Sequence, residues 1–539
     1  MTGLRQVRSA IRRAADRSAN RNGTPAHTTR DDLAQWAREN LRGERVVIVS
    51  NREPYSHRRT DSGVEWTRNA GGLTVALDAV AQAIGAVWVA HGSGDADREV
   101  VDERDRVGCP PGAPKYSLRR VWLSAEDHER FYAGFSNSAL WPLCHIVYVR
   151  PQFRLEDWER YVDVNRRFAD AVLEELGDGP ALVLLQDYHL ALVAKFLREA
   201  RPDLRLALFW HIPWPNAEVM RRLPWRELLL EGLLANDLLG FHIPFHAQNF
   251  LGTVADALEA RVDNEQMAVE RGGRRTRVRT FPIGADADEI STLAAGADAA
   301  KAVEAVRHSL PLGDARVGLG VDRMDYTKGI PERLEALERL YEKHPKWIGR
   351  FRFVQIAVPS RIEIDEYRAV AARTRECVQR INDRFAPDGP PLVHLIEENL
   401  DFRALVPLYQ LADLCAVTSL HDGMNLVAKE YVAACVDDEG ALVLSPFTGA
   451  ARELEGAWIA SPFDREGLAD AMHAALVEPA EERRLRMRTL RQAVYQRTVF
   501  DWAEELLQGA VSSPVVAADS HRPAPSKLRR RAGARPRRA

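Results

Sequence analysis

The sequence predicts an α/β fold built from two doubly wound, Rossmann-like domains that face a central cleft. The first observation is the length of 539 residues, which exceeds what a single hydrophobic core usually supports. The second is an alternation of short, β-branched apolar runs with amphipathic helical stretches, the pattern of a parallel sheet with crossover helices. The third is that polar clusters come directly after several of these runs, where ligands bind in open parallel sheets.

Ten strands are predicted, five in each domain. Each is a short hydrophobic run followed by polar or turn residues. Those of the first domain cover residues 45–50, 86–90, 181–186, 204–210 and 237–241, and those of the second cover residues 317–321, 351–357, 392–395, 414–418 and 441–444.

The domain boundaries follow from this alternation. We expect an N-terminal domain over residues 45–285 and a C-terminal domain over residues 286–510, joined by a linker near residues 281–284. The last helical pattern covers about residues 480–509 and includes Trp502. This helix is predicted to cross back and brace the first domain.

Both ends of the chain are basic, although the net charge is −3. Residues 1–30 carry +6 and residues 511–539 carry +7, and removing both from the total leaves −16 for residues 31–510. We expect residues 1–44 to be a basic, partly disordered extension. Residues 511–539 have almost nothing to bury and are predicted to be a disordered basic tail, for which solvation is favoured over contact with nucleic acid.

The composition excludes a membrane protein and points to a cytoplasmic one. No apolar run approaches the roughly 20 residues of a membrane span, and the polar N-terminus carries no secretory signal. The cysteines are scattered, odd in number and without metal-ligand spacing, which indicates a reducing compartment. All five are predicted to be buried small hydrophobes: Cys109, Cys144, Cys377, Cys415 and Cys435.

The segment from His421 to Tyr431 is the most informative motif. The predicted strand 414–418 runs straight into it, and a polar turn that opens a helix offers unpaired N–H groups and a positive dipole end to an anion. Asp422 and Glu430 are about two helical turns apart. They are predicted to lie on one face of the helix start and to contact different parts of an elongated ligand, such as a nucleotide diphosphate.

Two cations follow the predicted strand at residues 317–321. Arg323 and Lys328 lie in a glycine-terminated turn before a helix with proline near its first position. A bidentate guanidinium and a point-charge ammonium suit a diphosphate, and both would stabilise the charge on a leaving nucleotide. The alternative is a surface ion pair with Asp322 or Asp325.

Two further strand ends and a glycine pair complete the set of candidates on the donor side. Gly72 stands in the pair Gly71-Gly72 before a predicted helix, where glycine lets backbone amides approach a phosphate, although a simple tight turn is the alternative. Asp187 and His211 follow adjacent predicted strands and are candidates for an acid/base or sugar-hydroxyl pair. A structural histidine is the alternative there.

A second group of residues suggests a site for a phosphorylated sugar. Tyr132 and Trp141 lie in an aromatic-rich segment that suits a platform under a sugar ring, with core packing as an equal alternative. Arg52 and Arg361 follow predicted strands and are candidates for a phosphate clamp on a second substrate. Taken one by one, each is better explained as a surface arginine.

Taken together, these segments resemble the trehalose-6-phosphate synthase family, retaining glycosyltransferases of GT-B architecture. The resemblance covers about residues 45–505. It rests on ordered matches at Ser50-Asn51-Arg52, Ala70-Gly71-Gly72-Leu73, Phe131-Tyr132 through Leu140-Trp141-Pro142, Asp187-Tyr188-His189-Leu190, His211-Ile212-Pro213, Asp322-Arg323 through Asp325-Tyr326-Thr327-Lys328-Gly329, and Asp422 through Tyr431.

The resemblance implies transfer of glucose from UDP-glucose to glucose 6-phosphate with retention, in trehalose biosynthesis and with neither a cofactor nor a metal. By resemblance, the donor site comprises Gly72, Arg323 and Lys328 at the diphosphate, Glu430 at the ribose, His211 at the donor sugar, and Asp422 with the amides of Gly423, Met424, Asn425 and Leu426 at glucose and phosphate. The acceptor site comprises Asp187 and a phosphate pocket of Arg52, Tyr132, Trp141 and Arg361. Asp187, His211, Arg323 and Lys328 are the expected catalytic group.

The chain departs from the family pattern mainly on the acceptor side. His91 follows a predicted strand where the family commonly carries an aromatic residue, and His421 stands where an arginine is common. A related transferase with another phosphorylated acceptor, such as a glucosylglycerol-phosphate synthase, therefore stays an alternative. The retained donor-site charges favour an enzyme over a silent sugar-phosphate sensor. The nucleotide of the donor and a homo-oligomeric state are left open by the sequence.

Overall fold

A computed structural model describes residues 27–41, 43–69 and 71–512 of the chain. These residues form two large sheets covered by helices, so the predicted α/β fold is confirmed. All ten predicted strands are present. The predicted disorder of the two basic ends falls largely on residues 1–26 and 513–539, which lie outside the described residues.

The N-terminal half contributes twelve strands, of which β2 and β3 form a separate hairpin and the other ten form the first sheet. The bounds are β1 Arg45–Arg52, β2 Tyr55–Thr60, β3 Gly63–Arg68, β4 Val87–His91, β5 Arg106–Cys109, β6 Tyr116–Val121, β7 Ala181–Gln186, β8 Arg205–Phe209, β9 Leu238–Phe241, β10 Arg261–Asp263, β11 Ala268–Arg271 and β12 Arg274–Thr280.

The first sheet is mixed, which corrects the prediction of a purely parallel one. Its order is β10-β11-β12-β9-β8-β7-β1-β4-β6-β5. The seven strands from β12 to β6 in that order are parallel, whereas β5, β10 and β11 pair antiparallel at the two edges. The edge strands are only three or four residues long and each contains a charged residue, so they lack the continuous apolar run that marks a buried strand.

The second sheet is parallel throughout, with the order β15-β14-β13-β16-β17-β18. In both sheets the strand order reverses beside the first strand, between β1 and β7 and between β13 and β16. Ligands of doubly wound sheets bind at such switch points. The strand bounds are β13 Arg316–Arg323, β14 Phe351–Val358, β15 Val393–Ile396, β16 Leu414–Val417, β17 Ala441–Leu444 and β18 Trp458–Ile459.

Helices cover both faces of the sheets. A π-helical segment, His128–Leu140, interrupts one helical stretch of the first half between Ala125–Asp127 and Trp141–His145. The other helices are Arg30–Asn40, Gly72–Ile84, Leu155–Glu175, Val193–Ala200, Ala217–Met220, Arg226–Leu233, Pro244–Ala257, Ala287–Ala294, Ala299–Ser309, Ile330–Lys343, Asp365–Phe385, Phe402–Leu411, Leu426–Ala434, Arg465–Val477, Ala480–Tyr495 and Val499–Val511.

The chain crosses between the two sheets twice, and the two crossings touch. The first crossing follows β12 and the second follows the helix Ala480–Tyr495. The Val499 N–H donates to the Ala285 carbonyl at 3.2 Å. A Cβ added to Gly284 would lie 2.0 Å from the Arg497 carbonyl oxygen, so this contact needs glycine.

The predicted single helix over residues 480–509 is two helices. The break lies at residues 496–498, where Thr498 caps the second helix by accepting the Asp501 N–H on its hydroxyl. The second helix packs on the first sheet, with Trp502 buried and its ring 5.3 Å from that of Phe209. By capping the second helix, Thr498 lets the chain change direction at residues 496–498 before the helix Val499–Val511 packs on the first sheet.

The described part of the N-terminal extension is ordered against this last helix. The Thr28 N–H donates to Asp501 at 2.8 Å, and its hydroxyl donates to Glu504 at 3.0 Å. Thr29 caps the helix Arg30–Asn40, whose Leu33 is fully buried. Residues 27–41 thus join the helical layer of the first sheet.

Candidate active site

The strand ends of the two sheets face each other and share contacts across a cleft. Arg361, after β14, donates to the hydroxyl of Tyr188, which follows β7, at 3.3 Å. A Cβ added to Gly423, after β16, would lie 2.0 Å from the carbonyl oxygen of His211, which follows β8. The predicted site residues from both halves therefore lie along one cleft.

The turn before the helix Leu426–Ala434 holds Asp422 outside the helix. Asn425 adopts a positive φ of 83° and caps the helix by accepting the Ala428 N–H at 3.2 Å. Its side-chain amide also donates to Asp422 Oδ2 at 3.2 Å. The prediction that Asp422 and Glu430 share one helical face is therefore wrong, because the helix begins only at Leu426 and Asp422 lies in the turn before it.

Lys328 is paired with the donor-turn carboxylate rather than with its own turn. Its Nζ donates to Asp422 Oδ2 at 2.6 Å, and both side chains are largely buried. Burial alone would raise the pKa of Asp422, but Lys328 holds it well below the usual range. This pair joins the ends of β13 and β16 and keeps one full positive and one full negative charge at the cleft.

Arg323 remains oriented towards the cleft. The predicted alternative partner Asp322 is bound instead by Arg333 at 2.7 Å. The other alternative partner, Asp325, forms a long ion pair with Arg323, 3.9 Å between Nη2 and Oδ2, which is beyond hydrogen-bond distance. The Arg323 guanidinium lies 5.5 Å from the ring centre of Trp141 in the other half, and its side chain is 31% exposed.

Gly72 brings the start of one helix against the start of another. A Cβ at this position would lie 2.8 Å from Leu426 Cδ1 and 3.4 Å from Glu430 Oε1. Gly71 before it has a φ of 141°, which L-residues rarely adopt. The N-termini of the helices Gly72–Ile84 and Leu426–Ala434 thus meet across the cleft, and both dipoles favour an anion there.

Glu430 is buried beside a tyrosine hydroxyl. Tyr409 OH donates to Glu430 Oε2 at 2.8 Å. Burial raises the pKa of Glu430, and no ion pair joins it among the residues that the structure describes. One carboxylate oxygen is thus fixed by Tyr409, while the other lies near Gly72.

Asp187 and His211 are neighbours, but their side chains do not pair. Asp187 has a positive φ of 73°, and its carboxylate accepts the backbone N–H of His211 at 3.1 Å. The His211 ring instead lies 2.9 Å from Gln186 Oε1, and burial lowers its pKa to about 3. The ring is therefore neutral. Burial raises the pKa of Asp187 to about 6, although two backbone N–H groups and nearby arginines oppose the shift.

The four residues predicted to hold an acceptor phosphate converge on one pocket. Arg52 Nη2 lies 3.1 Å and Arg361 Nε 3.5 Å from the Tyr132 hydroxyl. The Arg361 guanidinium lies 4.3 Å from the ring centre of Trp141, whose buried indole N–H has no partner among the described residues. Because unpaired buried donors are costly, this N–H and the two cations favour an anion.

The geometry of both halves of the cleft agrees with the family that the sequence matches. A family model described as glycosyltransferase family 20 matches residues 44–511. The chain belongs to glycosyltransferase family 20. A trehalose-6-phosphate synthase of Mycolicibacterium gilvum is 40% identical over 489 residues, which are 88% of this chain and 95% of that protein.

Two solved structures share the fold. One from E. coli, bound with UDP-2-fluoro glucose, has a TM-score of 0.77 and 32% identity and covers 87% of this chain and 99% of its own. A UDP-forming α,α-trehalose-phosphate synthase from Burkholderia xenovorans, in complex with glucose-6-phosphate, has a TM-score of 0.78 and 31% identity and covers 86% and 99%. The predicted GT-B architecture is confirmed.

Several contacts of this site were not predicted from the sequence motifs. Arg361 has a positive φ of 50° and is held by the Tyr367 hydroxyl and, at 3.3 Å, by Asp325. Lys429, next to Glu430, is buried and donates to the Ile283 carbonyl of the first crossing at 2.7 Å. Tyr367 and Tyr409 lie in ordinary helical patterns, so their sequence positions carry no signal of a site. Lys429 lies within the recognised motif and could have been singled out.

The two departures from the family pattern sit at the edge of the site. His91 pairs in register with Arg52 between β4 and β1, and its Nδ1 lies 3.1 Å from the Val121 carbonyl. His421 lies with Nδ1 2.7 Å from the carbonyl of His145 in the other half. His91 therefore lies beside the acceptor pocket, and His421 ties the donor turn to the first half.

The remaining predictions concern cysteines, metals and membranes. The five cysteines are all free and buried, as predicted. Among residues 27–41, 43–69 and 71–512, no group of three or more His, Cys, Asp or Glu side chains could hold a metal ion. None of the helices in this described part is both long enough and apolar enough to cross a membrane.

Proposed function

We propose that this protein transfers glucose from UDP-glucose to glucose 6-phosphate with retention, forming α,α-trehalose 6-phosphate and UDP. The observation that carries the proposal is a pair of cation-lined pockets on one cleft, one at Lys328 and Arg323 and one at Arg52 and Arg361. Two anionic substrates fit such a cleft. The name of the Mycolicibacterium gilvum relative, and the ligands in the two similar solved structures, suggest the substrates.

In the donor pocket, Arg323 and Lys328 are assigned to the diphosphate together with the Gly72 amide. Glu430 is assigned to the ribose hydroxyls, since a buried carboxylate with one oxygen held by Tyr409 keeps a second acceptor oxygen. Glucose and phosphate are assigned to Asp422 and to the helix start over the amides of Gly423, Met424, Asn425 and Leu426. His211, neutral at physiological pH, is assigned to the donor sugar.

In the acceptor pocket, Arg52, Tyr132 and Arg361 are assigned to the phosphate, with the Trp141 indole N–H as a further donor. Asp187 is assigned to acceptor hydroxyls, because its carboxylate is buried between the two pockets and near both Arg323 and Arg361. Burial raises the pKa of Asp187, and a buried carboxyl group of this kind suits a hydrogen bond with a neutral hydroxyl group.

The mechanism proposed for this site is a front-face displacement. The bond from glucose C1 to the β-phosphate oxygen breaks while the acceptor hydroxyl oxygen bonds to C1 on the same face. The acceptor proton passes to the departing phosphate oxygen. Arg323 and Lys328 stabilise the charge that develops on UDP, and the cleft holds both substrates in reach of each other.

The proposal is tested by incubating the protein with UDP-glucose and either glucose 6-phosphate or glycerol 3-phosphate, following UDP release. Faster release with glucose 6-phosphate, and a non-reducing disaccharide phosphate with both anomeric centres α, is the expected result. Release of UDP with glycerol 3-phosphate alone would favour the second candidate, a glucosylglycerol-phosphate synthase. That candidate is supported by His91 beside Arg52 at the acceptor pocket.

The reaction is proposed to take place in the cytoplasm. Five free, buried thiols are compatible with a reducing compartment.

A further inference from the structure

The hydroxyl of Tyr132 sits among hydrogen-bond donors. Arg52 Nη2 and Arg361 Nε approach it at 3.1 and 3.5 Å, and a guanidinium can only donate. No group in the described part of the chain accepts the Tyr132 O–H, although Tyr188 OH, in the same pocket, donates to Asn137 at 2.7 Å. A neutral phenol at this place would direct its proton towards two cations.

The side chains around the Tyr132 hydroxyl carry more positive than negative charge. Arg52 forms no ion pair with a carboxylate among the described residues, and Arg361 is partly balanced by Asp325 at 3.3 Å. The two imidazoles packed on the Tyr132 ring are His128 at 4.9 Å and His189 at 5.7 Å.

His189, Tyr188 and Tyr367 are all uncharged, so none of them supplies a negative charge to balance Arg52 and Arg361. Burial lowers the pKa of His189 well below its usual range, so its ring is neutral. Burial raises the pKa of Tyr188 and Tyr367 well above theirs, so both remain protonated. Among the described residues, the Tyr132 hydroxyl is the one oxygen that hydrogen-bonds to both Arg52 and Arg361. Burial alone would raise the pKa of Tyr132, but these two guanidiniums lower it to about 7.

We propose that Tyr132 is the counterion of Arg52 and Arg361 as a phenolate in the ligand-free protein, and that a phosphorylated acceptor binds with uptake of one proton by Tyr132. The bound phosphate dianion replaces the phenolate as partner of both guanidiniums. The proton taken from solvent converts Tyr132 into a donor, which then directs its O–H to a phosphate oxygen. The second half of this inference rests on the proposed function, because it needs a phosphate monoester in this pocket.

The phenolate is tested without any ligand, by a pH titration of the near-ultraviolet absorbance of tyrosinate. The wild-type protein should show one tyrosine that titrates near pH 7, against the usual value of about 10. Tyr132→Phe should lack this step, and the matched control Tyr367→Phe, on the other side of Arg361, should keep it. Arg52→Gln retains the tyrosine and should move the step to higher pH. Absence of any step below pH 9 in the folded wild-type protein would overturn the proposal.

The proton uptake is tested by calorimetry at pH 8 in two buffers of different ionisation enthalpy. With glucose 6-phosphate we expect uptake of about 0.9 proton per bound dianion, because pH 8 lies one unit above the Tyr132 pKa and well above the second pKa of a phosphate monoester. Inorganic phosphate, the simplest probe, should show slightly less net uptake, because the part of it that is a monoanion at pH 8 releases a proton when it binds as the dianion. Between pH 8 and pH 9 the Kd should rise about tenfold in the wild type and less than about twofold in Tyr132→Phe.

The outcomes of the two experiments separate the two claims. Binding without proton uptake, or equal uptake in Tyr132→Phe, would refute the exchange of anions. A tyrosinate that titrates near pH 7 in a protein that binds inorganic phosphate but not glucose 6-phosphate would count against the proposed function and would support the phenolate counterion.

Discussion

Replacing Gly72 by alanine tests whether the two facing helix starts form the donor site. The added Cβ would lie 2.8 Å from Leu426 Cδ1, 3.0 Å from Leu426 Cβ and 3.4 Å from Glu430 Oε1. The methyl group of a leucine can rotate away, but its Cβ moves only with the backbone. Overpacking of this kind typically costs about 1–3 kcal/mol.

The cost should appear in donor binding rather than in folding. The clash spans the cleft, so the two halves relieve it by separating, which also separates the Gly72 amide from the helix start at Leu426. A cost near the middle of that range, about 2 kcal/mol, corresponds to roughly a 30-fold rise in the KM for UDP-glucose, since each 1.4 kcal/mol is about tenfold. The KM for glucose 6-phosphate and the melting temperature should change far less.

Steady-state kinetics of UDP release measure both KM values, and a matched glycine provides the control. Gly252 lies in the helix Pro244–Ala257, and a Cβ there would meet no atom within 4 Å. Gly252→Ala should leave both KM values unchanged and stabilise the fold by about 0.5–1 kcal/mol. A KM for UDP-glucose within about twofold of wild type in Gly72→Ala would refute the assignment of this contact to the donor site.

Three further substitutions test the charges, the buried acid and the crossing helix. Arg323→Ala and Lys328→Ala should each lower kcat by about 10²–10³-fold in the UDP-release assay, because each removes a stabilising charge from the leaving group; turnover within about tenfold would contradict this. In urea unfolding, Asp187→Asn should be about 3 kcal/mol more stable than the wild type at pH 7 and differ little from it at pH 4, because a carboxyl whose folded pKa is raised loses stability as pH rises from about 4 through 6; a gap that is equal at both pH values would exclude this cause. Trp502→Ala should destabilise the protein by about 3–5 kcal/mol in the same urea experiment, and a change below about 1 kcal/mol would show that its packing on the first sheet is dispensable.

The sequence was sufficient for the elements that repeat a simple pattern. Buried parallel strands are continuous apolar runs, so the runs that become β1, β7, β13 and β16 could be recognised. Because parallel strands end at one edge of a sheet, the polar residues after them could be expected to meet. The edge strands β10 and β11 are only three and four residues long and have no such run. Their place at the edge of the sheet is set by pairing with neighbouring strands and not by a hydrophobic pattern.

The sequence was insufficient where one backbone angle or one distant side chain decides the geometry. Asn425 changes the path of the chain through a positive φ, and the spacing of Asp422 and Glu430 does not contain that angle. Tyr409 reaches Glu430 from another helix, and Tyr367 reaches Arg361 from the helix that follows it. Such contacts depend on tertiary packing, so ordinary tyrosines in amphipathic helices gave no sign of them.

The return of the last helix to the first sheet sets an order for folding during synthesis. Residues 45–280 leave the ribosome first, but Trp502 and its neighbours, which cover part of their sheet, are made about 220 residues later. Until then the apolar surface around Phe209 lacks its cover. The second half can fold on its own sheet in the meantime, so we expect the C-terminal half to finish first. The N-terminal half then closes only after Trp502 has left the ribosome, which makes it the part that needs chaperone protection.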